Sequence, residues 1–317
     1  MAVHKGMQIA GAILVLATFV LLGQRSQTQK QPMPVDDRPV PTGTRITSVL
    51  DREINECSGI ILSSRNKNCF WMHNDSGDYP RMFLVHFDGR TVGQFAIRGA
   101  KAIDWEDIAI AEIGNESYLV LGDIGGNAQR RRTITLYVVR EPIVETASSG
   151  AGAPVKQKCE LVCALEVSIP LGVTNYESIA FDPVDRILLI VEKASSNSRV
   201  YSVVFPDLSS PLAGRTIPVT AKEVSSFDIH SATACDVSRD GSRMVIINSD
   251  YGYLFQRQAN ADGTLESWTS TLAHPHPSFR LPDLYQSEAV CFASDARSIY
   301  VASERAPTPV VELQLED

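Results

Sequence analysis

Five oxygen-bearing side chains recur along this chain, each opening the same short pattern: Ser58, Glu106, Glu177, Thr233 and Glu288. Apolar residues follow each of them two and four places on, as in Glu177-Ser178-Ile179-Ala180-Phe181. A second polar set, Asn74, Asp75, Asp123, Glu192, Asp250 and Glu304, stands at the ends of the apolar runs that come next. Carboxylates and hydroxyls with no Cys or His among them are ligands for a hard cation, and a ring drawn from five separate segments suits calcium better than magnesium's strict octahedron. Three carboxylates facing across a narrow space cannot all stay ionised without compensation. A bound cation supplies it on one reading. On the other, Lys193 and Arg305, each directly after a glutamate of the second set, neutralise the ring as salt bridges, or the glutamates tie neighbouring segments through backbone N–H groups.

The elements that must position these residues are strands. The period of two in each pattern is a strand signature, and each copy leads through a turn-rich gap into a second apolar run: residues 69–73, 117–121, 187–191, 243–247 and 298–302. A third run follows in each case, and a weaker fourth in the first four, which predicts four antiparallel strands per repeat. The five openings are spaced 48, 71, 56 and 55 residues apart, in the range of propeller blades, and the longest interval holds a low-complexity insertion at residues 145–154. No segment beyond residue 24 sustains a helical period. The expectation is an all-β, five-bladed β-propeller over residues 43–317, with a sixth blade inside the second interval as the alternative. Only three strands follow Glu288, so residues 44–50 are predicted to complete the last blade and hide its open edge. In a blade the start of the first strand and the end of the second share one mouth, which brings both polar sets together.

Residues 1–25 read as a signal peptide or signal anchor: Lys5 precedes an apolar run over residues 7–23. Residues 26–42 are a polar, Gln- and Pro-rich linker. The expected location is extracytoplasmic, secreted or held at the membrane by that segment. A net charge of −8 gives no basic field for nucleic acid. The six cysteines lack framework spacing and mostly lie in apolar strand patterns, so at least four are expected to be single buried thiols. Sequons stand at Asn74 and Asn115, the latter at a predicted hairpin tip.

The acidic loops expected at the mouth are Asn74-Asp75-Ser76-Gly77-Asp78, Asp104-Trp105-Glu106-Asp107 and the glycine-rich segment 122–127. Arg130, Arg131 and Arg132 follow the last and would either grip an anion or form a solvated loop. His274-Pro275-His276-Pro277 reads as a proline-stiffened connection. Gly-x-Ser-x-Gly elbow, P-loop and dinucleotide fingerprints are all missing, so nucleophilic Ser or Cys catalysis has no sequence support.

The order Ser58, Glu106, Glu177, Thr233, Glu288 resembles the channel pattern of the soluble calcium-activated nucleotidase (apyrase) family, with Thr233 in place of that family's second serine. The resemblance implies a five-bladed propeller with calcium held in its central channel by these five residues. The motifs Asn-Asp-Ser-Gly-Asp, Asp-Trp-Glu-Asp and Gly-Asp-Ile-Gly-Gly-Asn look more like a group of uncharacterised secreted or membrane-anchored propeller proteins. Three functions compete. The first is a calcium-stiffened recognition propeller, taking a small anion, glycan or protein at the channel mouth. The second is a calcium-dependent hydrolase of nucleotides or other phosphate anhydrides and esters, in which Asp75 or Asp123 orients or deprotonates water and Arg131 or Lys193 offsets leaving-group charge. The third is sugar-lactone or glycan chemistry with Glu106 or Asp107 as a carboxylate of raised pKa.

Overall fold

The computed structural model describes residues 38–126, 131–145, 153–209 and 212–315. The expected targeting segment and most of the expected linker lie outside them, as does most of the insertion at 145–154. Among the described residues no helix is long and apolar enough to cross a membrane.

The chain opens with β1 (Gly43–Val49) and then lays down strands in sets. The first set is β2 (Cys57–Leu62), β3 (Cys69–Asn74), β4 (Arg81–His86) and β5 (Thr91–Arg98). The second is β6 (Trp105–Ile113), β7 (Glu116–Asp123), β8 (Thr133–Arg140) and the long β9 (Val155–Ser168). The third is β10 (Tyr176–Asp182), β11 (Ile187–Glu192), β12 (Ser198–Val204), an extra strand β13 (Arg215–Thr220), and β14 (Lys222–Phe227). The fourth is β15 (Ala234–Val237), β16 (Arg243–Ile247), β17 (Tyr251–Gln256), the short helix α1 (Trp268–Thr271) and β18 (Ser278–Arg280). The last is β19 (Ser287–Phe292), β20 (Ser298–Ser303) and β21 (Thr308–Gln314). Within each set successive strands pair antiparallel, β12 pairing with β14 in the third.

The predicted completion of the last set is present: β1 pairs antiparallel with β21, giving the order β1-β21-β20-β19. The N-terminal strand thereby covers an edge that would otherwise expose unpaired N–H and C=O groups. The second interval holds no sixth set; its described residues form β6 to β9. The hairpin tip falls at Asn115 as expected, where Gly114 takes φ +61° as the first residue of a two-residue loop.

Two connections depart from the predicted pattern. The first half of β9 pairs in parallel with β5, and the second half is flanked by β8 and, in parallel, by β13. The first two sets therefore form one nine-stranded sheet with β13, whereas the other strands of the third set, and the fourth and fifth sets, form separate four-stranded sheets. The cause is the length of β9, whose 14 residues outrun the partner β8 and leave backbone groups that β5 satisfies.

The opening strands are neighbours in a closed cycle: β2 lies beside β6, β6 beside β10, β10 beside β15, β15 beside β19, and β19 beside β2. Apolar packing lies between adjacent sets rather than in one central mass. One such layer joins Tyr176, Ile179 and Phe181 to Val120, Leu136 and Val138, and burial of side chains like these contributes roughly 1.5–3 kcal/mol each. Polar ties cross the same seams. Asp107 Oδ2 accepts from Ile179 N at 2.9 Å, and Asp236 Oδ2 from Phe292 N at 2.8 Å. Glu141 Oε1 accepts from Trp71 Nε1 at 2.9 Å, and Asp182 Oδ2 from Trp268 Nε1 at 2.8 Å. All six cysteines are free and only Cys159 is not buried, as their strand patterns predicted.

Candidate metal centre at the acidic mouth

Four of the five repeated polar residues sit at an irregularity of the ladder. Pairing between first and second strands shifts register between Cys57 and Gly59, Trp105 and Asp107, Tyr176 and Ser178, and Ser287 and Ala289. The residue skipped in each case is Ser58, Glu106, Glu177 or Glu288. Thr233, the fifth, lies one residue before β15. A bulge releases one residue from pairing and turns its side chain away from the regular alternation. Here the repeated bulge takes Glu106, Glu177 and Glu288 out of the regular pairing, and their carboxyls come within electrostatic reach of one another.

The structure brings these three glutamates together. Glu106 is 1% exposed, Glu177 3% and Glu288 7%. Burial, then the charges of Glu177, Asp75 and Asp104, hold the Glu106 carboxyl far above the ordinary carboxylate range. Burial also raises Glu177, against the pull of Lys193, whose Nζ stands 3.2 Å from Glu177 Oε2. Asn175 Nδ2 donates to the other oxygen of Glu177 at 2.7 Å, and Gln286 Nε2 donates to Glu288 Oε1 at 3.2 Å. Asp75 is pushed up to about 6 by burial and by Asp104, Glu288 and Glu56. Glu304 is pushed up to about 7 by burial, Glu288, Asp75 and Glu56.

Ser58 and Thr233 spend their hydroxyl protons on the neighbouring strand. Ser58 Oγ donates to the Glu106 carbonyl at 2.6 Å, and Thr233 Oγ1 to the Ser287 carbonyl at 2.8 Å. Their oxygen lone pairs remain for another partner.

Asp104, which the sequence pattern did not single out as a ligand, completes the tightest group. One carboxylate oxygen from each of Asp75, Asp104 and Glu106 lies within 4.8 Å of the others. That spread fits oxygens sharing one ion at about 2.3–2.6 Å. Glu106 Oε1 is buried and accepts no hydrogen bond among the described residues. Gly125 forms the floor beneath it: a Cβ there would fall 2.0 Å from Glu106 Oε1 and 2.5 Å from Asp104 Oδ2. The adjacent Gly125-Gly126 and the acidic run Asp104 to Asp107 were the available signals.

Asp123 and Arg131 are placed beside this group and are engaged with each other. Arg131 Nη1 lies 2.7 Å from Asp123 Oδ1 and donates to the Asp123 carbonyl at 2.9 Å. Asp123 Oδ1 also accepts from Asp104 N at 3.0 Å, so the pair braces the loop that carries Asp104. Among the other residues of the second polar set, Glu192 accepts from Thr174 Oγ1 at 2.7 Å and pairs with Arg199, Asn74 Oδ1 accepts from Asn55 N at 3.2 Å, and Asp250 is exposed. Arg305 stacks on the Tyr285 ring at 3.4 Å. His274 is exposed beside Glu266, and His276 packs against Phe255.

Six carboxylates, from Asp75, Asp104, Glu106, Glu177, Glu288 and Glu304, thus act on one another, with Lys193 beside Glu177. No protein-family model matches this chain, and no curated protein matches it in sequence.

Proposed function

We propose that this chain is an extracytoplasmic five-bladed β-propeller whose acidic mouth binds a divalent cation, calcium, and recognises a ligand on the same face. The closed cycle of opening strands and the covered edge of the last set support the architecture. The apolar run at residues 7–23 supports the location.

One observation carries the cation: the buried, unpartnered Glu106 Oε1 grouped with Asp75 and Asp104 over a floor that only glycine leaves open. Leaving a charged oxygen buried without a donor costs several kcal/mol, and an ion removes that cost. Oxygen-only ligands favour calcium over zinc, and carboxylates of unequal burial fit calcium's variable coordination. The ion would hold together segments from the first and second sets and so stiffen the face that meets a ligand, be it a small anion, a glycan or a protein.

A phosphohydrolase reading draws on Asp75, whose carboxyl near pH 6 suits a general base, and on the half-buried ammonium of Lys193. Against it, Asp123 and Arg131 are taken up with each other.

Calorimetric titration of the full chain with calcium and with magnesium tests the binding. Saturable calcium binding, reversed by chelator and much weaker for magnesium, is the expected result; a flat calcium titration would sink the proposal. Phosphate release from nucleoside di- and triphosphates with calcium, abolished by chelator, would replace recognition with hydrolysis.

A further inference from the structure

We infer that Lys193 is a built-in counter-ion: its ammonium occupies the second cation position of the acidic mouth, so that the site holds one divalent ion and not two. The inference rests on the calcium reading above and concerns the number of ions that reading allows.

The mouth divides into two halves. Asp75, Asp104 and Glu106 bring one carboxylate oxygen each within 4.8 Å of one another. The Lys193 ammonium sits 3.2 Å from Glu177 Oε2, within electrostatic reach of Glu288 and Glu304. Its placement is fixed from several sides. The backbone N–H of Lys193 donates to the Asn175 carbonyl at 2.9 Å as the chain leaves β11, and Asn175 Nδ2 holds the far oxygen of Glu177 at 2.7 Å. The same asparagine therefore positions both members of the pair. Its Oδ1 also accepts from Gly126 N at 2.7 Å, which links the lysine half to the glycine floor of the metal half.

An ammonium is a compact point charge with three donors, the side chain closest to a small cation in what it offers carboxylates. A second divalent ion among the same carboxylates would have to displace it against like-charge repulsion. Two-metal hydrolysis, which sets ions about 3.5–4 Å apart on a phosphoryl group, would need a second ion among carboxylates that Lys193 already neutralises.

Calcium stoichiometry measured by calorimetry on the full chain and on Lys193→Met, Lys193→Gln and Lys193→Arg tests this. One ion per wild-type chain, one in Lys193→Arg, and two in Lys193→Met is the expected set. Lys193→Gln retains a donor for Glu177 and gives the same count of two, so it serves if the methionine variant fails to fold. One ion per chain in the neutral variants, at any affinity, overturns the inference while leaving the calcium reading intact, and two ions in wild type also overturn it. No ion in wild type removes both.

Discussion

The five opening strands begin and end in opposite electrostatic conditions. Where they begin, six carboxylates converge around Lys193 among the described residues. Where they end, Arg239 reaches from the fourth set to the first and second, donating to Ser64 Oγ at 2.8 Å and the Leu62 carbonyl at 3.2 Å and pairing with Glu112. It borders a cavity of about 30 Å³ lined by Ile61, Ile110, Val237 and Phe292, room for about one water. At that end Glu112 has Arg239 as its partner and the space is small. The difference teaches that the acidity of the first mouth is not a general property of this scaffold. Glu106 and its neighbour Asp107 make the same point at the scale of one peptide bond. Asp107 spends both oxygens on backbone N–H groups, of Ile108 at 2.8 Å and Ile179 at 2.9 Å, whereas Glu106 Oε1 has no donor among the described residues.

The largest expected effect breaks that contrast at its centre. Glu106→Gln removes a ligand charge, and calcium affinity should fall at least about 100-fold, or about 2.7 kcal/mol. With chelator present, the same change should raise the melting temperature by several degrees, because it takes a poorly solvated acid out of the interior. Asp107→Ala should do the reverse, stranding two backbone donors and destabilising the chain by about 2–4 kcal/mol. Calcium titration and thermal melts of the two variants decide it; equal destabilisation by both would mean that Glu106 is structural.

Much of this was legible in the sequence. The period-two runs located every set, and the strand missing from the last set pointed to residues 44–50, where Gly43–Val49 pair with β21 as β1. The convergence of Glu106, Glu177 and Glu288 followed from that topology. The bulges were not foreseen, although the adjacent polar residues Glu106-Asp107 and Glu177-Ser178 break strict alternation where the ladder shifts. Asp104 was missed because its place depends on a loop folded back onto Asp123 and on the bare backbone of Gly125, neither of which has a periodic signature. The sharing of β9 between two sets was also hidden, since strand composition does not say which edge a strand will join.

A smaller effect sharpens the comparison from the closed end. Arg239→Met should cost about 1 kcal/mol, because the guanidinium and Glu112 are partly exposed and a solvent-screened pair contributes little beyond the carbonyl contact. Calcium affinity should stay within about twofold, since the change lies at the far end of the opening strands. Denaturant melts with and without calcium measure both quantities. A large loss of calcium affinity would show that the two ends are coupled and that the acidic mouth depends on the staple.

The smallest effect is a slope with pH. Glu304 has its carboxyl raised to about 7 by burial first and then by Glu288, Asp75 and Glu56, with Lys193 opposing. An unfolded glutamate has lost its proton by about pH 5, so between pH 5 and 8 the folded chain carries protons that the unfolded chain does not. Stability must therefore fall as pH rises through this window and level off above it. His73 and His276, kept neutral by burial, push the other way below about pH 7, but they are common to wild type and Glu304→Gln. The difference between the two melting curves isolates the mouth. In chelator, wild type should lose a few degrees relative to Glu304→Gln between pH 6 and 8. Saturating calcium should shrink that difference, because the ion offsets the charge that the proton was suppressing. A difference independent of both pH and calcium would place Glu304 outside the electrostatic reach of the cluster.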